Sequence, residues 1–275
     1  MLIDGKKINT EIGENLQKEI SIKNILPSLG ILCVGEDKAS LSFINVKKKF
    51  GEKYGFVVNL YKINEGESKD LVIFKLQEIQ KVNDAVIVQL PLPNNLKIYT
   101  EEILKNILPE KDVDNLNNGS FETPIILALE KSLSLTPALL LRSECSLAKG
   151  EGEVPKTFGI IGLGQVVGMP VKEYLEKNNL NFKIIGHHNY EDLQSCDILV
   201  SGIGQPHSIK KEFIKDGVIL IDYGCSYLDG VLCGDFNPEC FEKASFYTPV
   251  PGGMGPIVVA CLFENVLKSF IPREN

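Results

Sequence analysis

The chain has 275 residues, 44% of them hydrophobic, and a formal net charge of −7. That length allows one large domain or two ordinary ones with packed cores. The acidic balance argues against general nucleic-acid binding, and no apolar run is long enough to span a bilayer. Met1 to Lys7 lacks the apolar core of a signal peptide. Seven cysteines, at 33, 145, 196, 225, 233, 240 and 261, form no Cys-x-x-Cys pair, and there are only three histidines. This pattern reads as reduced thiols in a cytoplasmic protein, with neither a disulfide nor a metal site expected.

Strands and helices alternate in the first part. Ser28 to Gly35 reads as a buried strand, and Ala39 to Tyr54 as a helix stopped by Gly55. Phe56 to Ile63 reads as a second strand. Glu67 to Lys81 carries Leu71, Phe74, Leu76 and Ile79 at helical spacing. Asp84 to Leu90 reads as a third strand, cut short by Pro91-Leu-Pro93, and Glu101 to Leu108 as a helix. Such alternation predicts an α/β fold with a parallel sheet. The stretch from Asn115 to Pro155 is less legible: Asn117-Asn-Gly119 marks a turn, a helix is expected from Pro137, and Lys149 to Glu153 reads as an exposed boundary.

A second α/β unit follows. Thr157 to Gly162 is a strand running into Gly162-Leu-Gly164 and Gly168, then a helix to Lys177. Asn181 to Gly186, Cys196 to Gly202 and Gly217 to Tyr223 complete the strands. Strand, glycine turn and helix in that order suit a dinucleotide's pyrophosphate, which needs close backbone approach and helix N–H groups. The turn is one residue longer than the usual fingerprint. No acidic ribose reader stands near 187, where His187-His188-Asn189 occurs instead. The choice between NAD and NADP is not readable there.

Four further constellations stand out. Phe43, Lys47, Phe50 and Tyr54 share one helical face, so Lys47 is either a desolvated, pKa-lowered amine or part of the solvated run Lys47-Lys48-Lys49. Gln89, Leu90 and Pro91 close a buried strand, where parallel sheets place ligands. Lys111-Asp-Val-Asp114 is either a surface turn or part of a site. Thr248 to Pro256 packs three prolines and three glycines into nine residues. It predicts a stiff loop, neither helix nor strand, that hands over to a helix with Pro256 in its first turn.

These runs, in this order, resemble the bifunctional methylenetetrahydrofolate dehydrogenase/methenyltetrahydrofolate cyclohydrolase family over nearly the whole chain. The matching runs are Ile3 to Gly5, Val34 to Ser40 with Phe43 and Lys47, Val88 to Pro93, Lys111 to Asp114, Gly162 to Pro170, Ile221 to Gly224, Gly234-Asp235 and Thr248 to Pro256. The resemblance implies an α/β catalytic domain over 1–120, completed by a C-terminal helix over 256–275. It also implies a Rossmann-like domain over 136–250, with folate and nicotinamide held in a cleft between the two. By the same resemblance, Lys47 is the catalytic lysine, Gln89 its partner and Asp114 the anchor of the pterin. Phe43, Leu90, Pro91, Pro251, Gly252 and Gly253 line the folate side. Gly162, Leu163, Gly164, Val167, Gly168, His188 and Cys225 hold NADP, with NAD as the other candidate. The implied assembly is a homodimer that uses tetrahydrofolate one-carbon derivatives.

The chain departs from the family pattern in places. Phe43 replaces a tyrosine, and Leu163 and Gly164 replace an arginine and a serine that would engage NADP phosphates. Leu139 replaces a glycine after Thr136-Pro137, His188 replaces a serine, and Ile257-Val258 replaces Met-Thr. These changes leave open a cyclohydrolase with weakened dehydrogenase activity, or a folate-binding protein without turnover. His187 and His188 are the nearby candidates to meet the 2′-phosphate, and they gain charge only toward pH ~6.5. NADP affinity is therefore expected to rise as pH falls.

Overall fold

The computed structural model describes residues 1–136, 156–186 and 190–270. Two compact units divide the chain. One comprises residues 9–124 and 259–275, the other residues 1–8 and 125–258.

In chain order the elements are α1 (Gly5–Lys23), β1 (Ser28–Val34), α2 (Lys38–Tyr54), β2 (Val57–Ile63), α3 (Lys69–Val82), β3 (Ala85–Val88), α4 (Asn94–Lys97), α5 (Thr100–Leu104) and α6 (Pro124–Leu133). Then come β4 (Phe158–Ile161), α7 (Gly168–Lys177), β5 (Phe182–Ile185), β6 (Ile198–Ser201), β7 (Ile219–Asp222), β8 (Ser226–Leu228), β9 (Val231–Cys233), β10 (Phe246–Tyr247) and α8 (Met254–Phe270).

The first unit is built on a parallel three-stranded sheet in the order β2-β1-β3. Strand β1 lies between its two successors, and right-handed crossovers then carry α2 and α3 on opposite faces. Local signals fix the ends of those helices. The Asp37 carboxylate accepts the Ser40 N–H at 2.8 Å at the start of α2, and Gly55, at φ +91°, ends it. Ser68 caps α3 in the same way. Leu32, Val34, Val72, Leu76, Val86 and Val88 form the core between sheet and helices.

The second unit carries a parallel five-stranded sheet in the order β10-β7-β6-β4-β5, with β8 and β9 as an antiparallel hairpin. The order reverses between β4 and β6, and the crevice outside the carboxyl ends of those two strands is where such sheets bind ligands.

Several expectations shift. Helix α8 begins at Met254, so Met254, Gly255 and Pro256 are helical and the loop is shorter than its composition suggests. The proline remains within the first turn, where its missing N–H has no helical partner to lose. Helix α5 ends at Leu104 rather than Leu108. Phe74 is exposed, and Val72 takes the core position beside Leu76 and Ile79. Helix α1, helix α6 and the β8–β9 hairpin had no expected counterpart. The helix expected from Pro137 and the boundary at Lys149 to Glu153 lie outside the described residues.

Candidate active site

The first unit brings together three polar side chains from separate elements. Lys47 projects from α2, Gln89 follows β3, and Asp114 stands in the loop after Asp112. The Lys47 Nζ donates to Gln89 Oε1 at 3.1 Å. Gln89 is itself fixed, because its Nε2 donates to the Leu90 carbonyl and its backbone N–H to the Leu32 carbonyl, both at 2.8 Å. The glutamine thus holds the lysine against the end of β1. The Leu90–Pro91 peptide is cis.

The electrostatics follow from burial. Desolvation lowers the Lys47 pKa, and the Asp114 charge partly opposes that. Desolvation likewise raises the Asp114 pKa, against the Lys47 charge. Both groups are pushed toward their neutral forms, so a larger share of the Lys47 amine is unprotonated, and free to take a proton, than in a solvated lysine. Lys47 is half-buried, whereas its neighbours Lys48 and Lys49 are exposed. The aromatic face of α2 is graded rather than uniform. Phe50 and Tyr54 are buried, whereas Phe43 is 42% exposed at the other end of the stripe.

The second unit holds the glycine turn. Gly162 has φ +79°, a conformation that side chains disfavour. A Cβ on Gly168 would lie 2.1 Å from the Gly162 carbonyl oxygen, so the first turn of α7 can close onto the strand end only without a side chain there. Val167 precedes α7 and makes no side-chain cap. A Cβ on Gly164 would meet nothing within 4 Å, and Leu163 is 41% exposed. The turn is therefore a backbone-lined cradle with open space beside it, which fits a pyrophosphate. Cys225 is exposed, and desolvation together with the charges of Asp222 and Asp235 pushes its thiol up, so it stays neutral at pH 7. His188 lies outside the described residues.

Pro251, Gly252 and Gly253 belong to this second unit. The Val250–Pro251 peptide is cis, and Gly252 has φ +104°. A Cβ on Gly5 would fall 1.8 Å from the Gly253 carbonyl oxygen, so Ile3-Asp-Gly5 packs directly on this loop.

Known proteins match the chain along its length. The profile of the tetrahydrofolate dehydrogenase/cyclohydrolase catalytic domain matches residues 3–114, and that of the family's NAD(P)-binding domain matches residues 146–273. "Bifunctional protein FolD" of Sulfurovum sp. is 35% identical, covering 98% of each chain. The FolD protein of Aquifex aeolicus is 33% identical, covering 98% of this chain and 95% of its own. The chain belongs to the tetrahydrofolate dehydrogenase/cyclohydrolase family. Among solved structures, the FolD enzyme of Campylobacter jejuni superposes with TM-score 0.85 at 27% identity, covering 98% of both chains. The Trypanosoma brucei enzyme, complexed with NADP cofactor and inhibitor, superposes with TM-score 0.83 at 25% identity, covering 98% of this chain and 97% of its own. Like its family, this FolD relative is a methylenetetrahydrofolate dehydrogenase and methenyltetrahydrofolate cyclohydrolase with a nicotinamide-cofactor domain.

Sequence reasoning passed over a buried carboxylate pair in that domain. Asp235 accepts from Ser201 Oγ at 2.7 Å and from the N–H groups of Ile203 at 2.9 Å and Gln205 at 2.8 Å. Asp222 accepts from the N–H groups of Gly224, Asp235 and Phe236 at 2.8 to 3.2 Å. Burial, then the charge of Asp235, push Asp222 up to about 7. A Cβ on Gly224 would lie 2.4 Å from the Asp235 carboxyl, and one on Gly234 2.2 Å from that of Asp222. The pair staples together the loops at the carboxyl ends of β6 and β7. The visible signal was the aspartate that ends a buried strand with a glycine two residues on, answered by Gly234-Asp235.

Proposed function

We propose that both reactions of this FolD relative use one centre made of Lys47, Gln89 and Asp114. The observation that carries this reading is the Lys47–Gln89 hydrogen bond at 3.1 Å beside a desolvated carboxylate. A lysine whose pKa is lowered by burial offers more neutral amine at a given pH than a solvated lysine does, and so can serve as a proton acceptor. In hydrolysis of the methenyl group, Lys47 takes a proton from the attacking water, or returns one to nitrogen as the ring opens. Gln89 accepts one Lys47 N–H and so aims the lone pair that forms on deprotonation. Asp114 accepts hydrogen bonds from the pterin's N–H donors, strengthened by its charge. Phe43 offers an exposed ring on which the pterin can stack.

Leu90 and Pro91 complete the folate side of this unit in this reading, while Pro251, Gly252 and Gly253, in the other unit, remain folate-binding candidates by resemblance. The catalytic domain is then the three-stranded unit with the C-terminal residues of α8, and the five-stranded unit holds the cofactor. Gly162, Leu163, Gly164, Val167 and Gly168 would hold the dinucleotide phosphates, with Cys225 a further cofactor-binding residue. Hydride acceptance is the chemistry that the cofactor supplies when bound. The protein acts in the cytoplasm as a homodimer. The exposed Tyr227, Leu228 and Val231 of the β8–β9 hairpin offer an apolar contact surface for that dimer, which sedimentation would test.

The functional test follows methenyltetrahydrofolate absorbance with purified protein. Loss of preformed methenyl substrate without cofactor reports the cyclohydrolase. Cofactor reduction coupled to methylene substrate reports the dehydrogenase. Absence of both, with folate still bound, would leave a binding protein.

A further inference from the structure

Asn265, on α8, is fully buried and has no part in the chemistry above. A buried amide is costly unless its groups are bonded. Its Nδ2 donates to two backbone carbonyls, Val113 O and Glu122 O, each at 2.9 Å. Its Oδ1 has no partner among the described residues. The two carbonyls bracket the loop that carries Asp114. Inside that loop, the Asp112 carboxylate accepts the N–H groups of Leu116 at 3.0 Å and Asn117 at 2.8 Å. Gly119 closes against it, since a Cβ there would lie 2.8 Å from Asp112 Cβ. The loop is thus tied from within by Asp112 and from outside by Asn265.

The same helix also touches the element that carries the lysine. Phe263, two residues before Asn265, sets its ring 5.0 Å from that of Phe50 on α2 and 4.8 Å from that of Phe56. Phe50 stands about one turn beyond Lys47. A Cβ on Gly51 would lie 2.9 Å from the Phe263 ring, so α2 and α8 approach closely.

We infer that Asn265 is a positioning residue that sets where the Asp114 carboxylate stands relative to the Lys47 amine. The inference rests on the assignment of Lys47 and Asp114 made above. It separates α8 into two duties. Phe263 fixes the helix that bears the amine, and Asn265 fixes the loop that bears the carboxylate. Removing the Asn265 donors leaves two carbonyls unpaired and frees the loop at both ends, so the carboxylate drifts from the amine. The Asp114 charge holds the Lys47 pKa up against burial. Its withdrawal therefore moves the lysine titration to lower pH.

The experiment compares wild type, Asn265→Ala, Asn265→Ser and Asp114→Asn. Cyclohydrolase kcat and KM are measured across pH, with NADP affinity and melting temperature on the same samples. Asn265→Ala should raise the KM for the methenyl substrate roughly tenfold, the scale of one lost buried hydrogen bond. Its lysine-dependent limb of kcat/KM should move to lower pH, while NADP affinity stays within about twofold of wild type. Asn265→Ser, which retains a short donor, should fall between Asn265→Ala and wild type; if Asn265→Ala does not fold, Asn265→Ser carries the test with the same signs. A pH profile and KM matching wild type in the Asn265 variants, while Asp114→Asn moves both, would overturn the positioning role and leave the centre intact. No movement in Asp114→Asn either would overturn the assignment beneath it. Equal losses of folate and NADP affinity would mark Asn265 as a general structural residue and refute the inference.

Discussion

The two units are variations on one plan with opposite means. Each places its first strand between the second and the third, so each has a switch point where loops open. In the three-stranded unit they present side chains: an amine bonded to an amide, with a carboxylate whose charge acts on the amine. In the five-stranded unit they present backbone: Gly162 and Gly168 pressed together, with Gly224 and Gly234 against buried carboxylates. The first kind of site is fixed by electrostatics, because Lys47 and Asp114 each shift the proton affinity of the other. The second is fixed by sterics, because a Cβ on Gly168, Gly224 or Gly234 would collide with its surroundings. A charged centre tolerates few substitutions among its members. A backbone cradle tolerates change wherever the side chain points outward, as at Leu163. That asymmetry explains why the chain departs from its family at the phosphate grip and keeps the catalytic trio.

The largest expected effect lies in the charged centre. Lys47→Ala should lower cyclohydrolase kcat by roughly 10²- to 10⁴-fold, the usual worth of a positioned acid or base. NADP affinity should not change if the two sites depend on different means. Steady-state assay and titration of one preparation would check both, and a rate within about twofold of wild type would break the comparison at its root.

The next effect is on stability and distinguishes the buried carboxylates of the cofactor unit. Asp222 is raised to about 7, above its unfolded value of 3.8. The folded protein therefore holds that proton to higher pH than the unfolded chain does. Stability is fullest below the unfolded value and falls as pH rises toward and through about 7. Each tenfold difference in proton affinity between the folded and unfolded states is worth about 1.4 kcal/mol, so the ceiling is a few kcal/mol in all. Asp222→Asn removes the titration. Its melting temperature, subtracted from that of wild type at each pH from 5 to 8, should show wild type losing ground as pH rises. A pH-independent difference would mean that Asp222 is ionised throughout.

The third prediction tests the open side of the cradle. Leu163→Arg puts a planar cation where the wild type has an exposed apolar side chain. A well-formed charge-assisted bond to the 2′-phosphate is worth roughly 1–3 kcal/mol, so NADP should tighten about 5- to 150-fold while NAD changes little. Isothermal titration with both cofactors decides it. Equal gains for the two would place the arginine on the shared pyrophosphate.

How far the sequence discloses this molecule depends on the kind of signal. Strands β1, β3, β4, β6 and β7 are buried on both faces and read as short apolar runs. Gly55 and Gly162 announce a helix end and a strand end by conformation alone. Lys47, Gln89 and Asp114 stood out through motif and resemblance, but the Lys47–Gln89 bond and the pull of the Asp114 charge on Lys47 are tertiary facts with no local trace. Asn265 was invisible because a lone asparagine in an apolar helix has no periodicity to break. Asp222 and Asp235 were invisible as a pair because they lie 13 positions apart in sequence and meet only through backbone donors. Met254 to Pro256 misled because a first helical turn accepts residues that helix interiors refuse.

The smallest expected effect concerns Phe43, where the charged centre meets solvent. The ring is 42% exposed at the end of a stripe whose other members, Phe50 and Tyr54, are buried. Adding a hydroxyl at such a position need bury no polar group, so Phe43→Tyr should shift stability by no more than about 0.5 kcal/mol, the range of ordinary surface changes. The stacking face for the pterin is unchanged, and the new hydroxyl can donate to a substrate atom or a water near Lys47. The expected outcome is a folded, active enzyme whose folate KM or kcat shifts by a small factor and whose NADP affinity does not move. Thermal melts and paired kinetics would check it. A melting temperature lowered by many degrees would show the ring packed against something in solution, and would put the exposed edge of the charged centre elsewhere on α2.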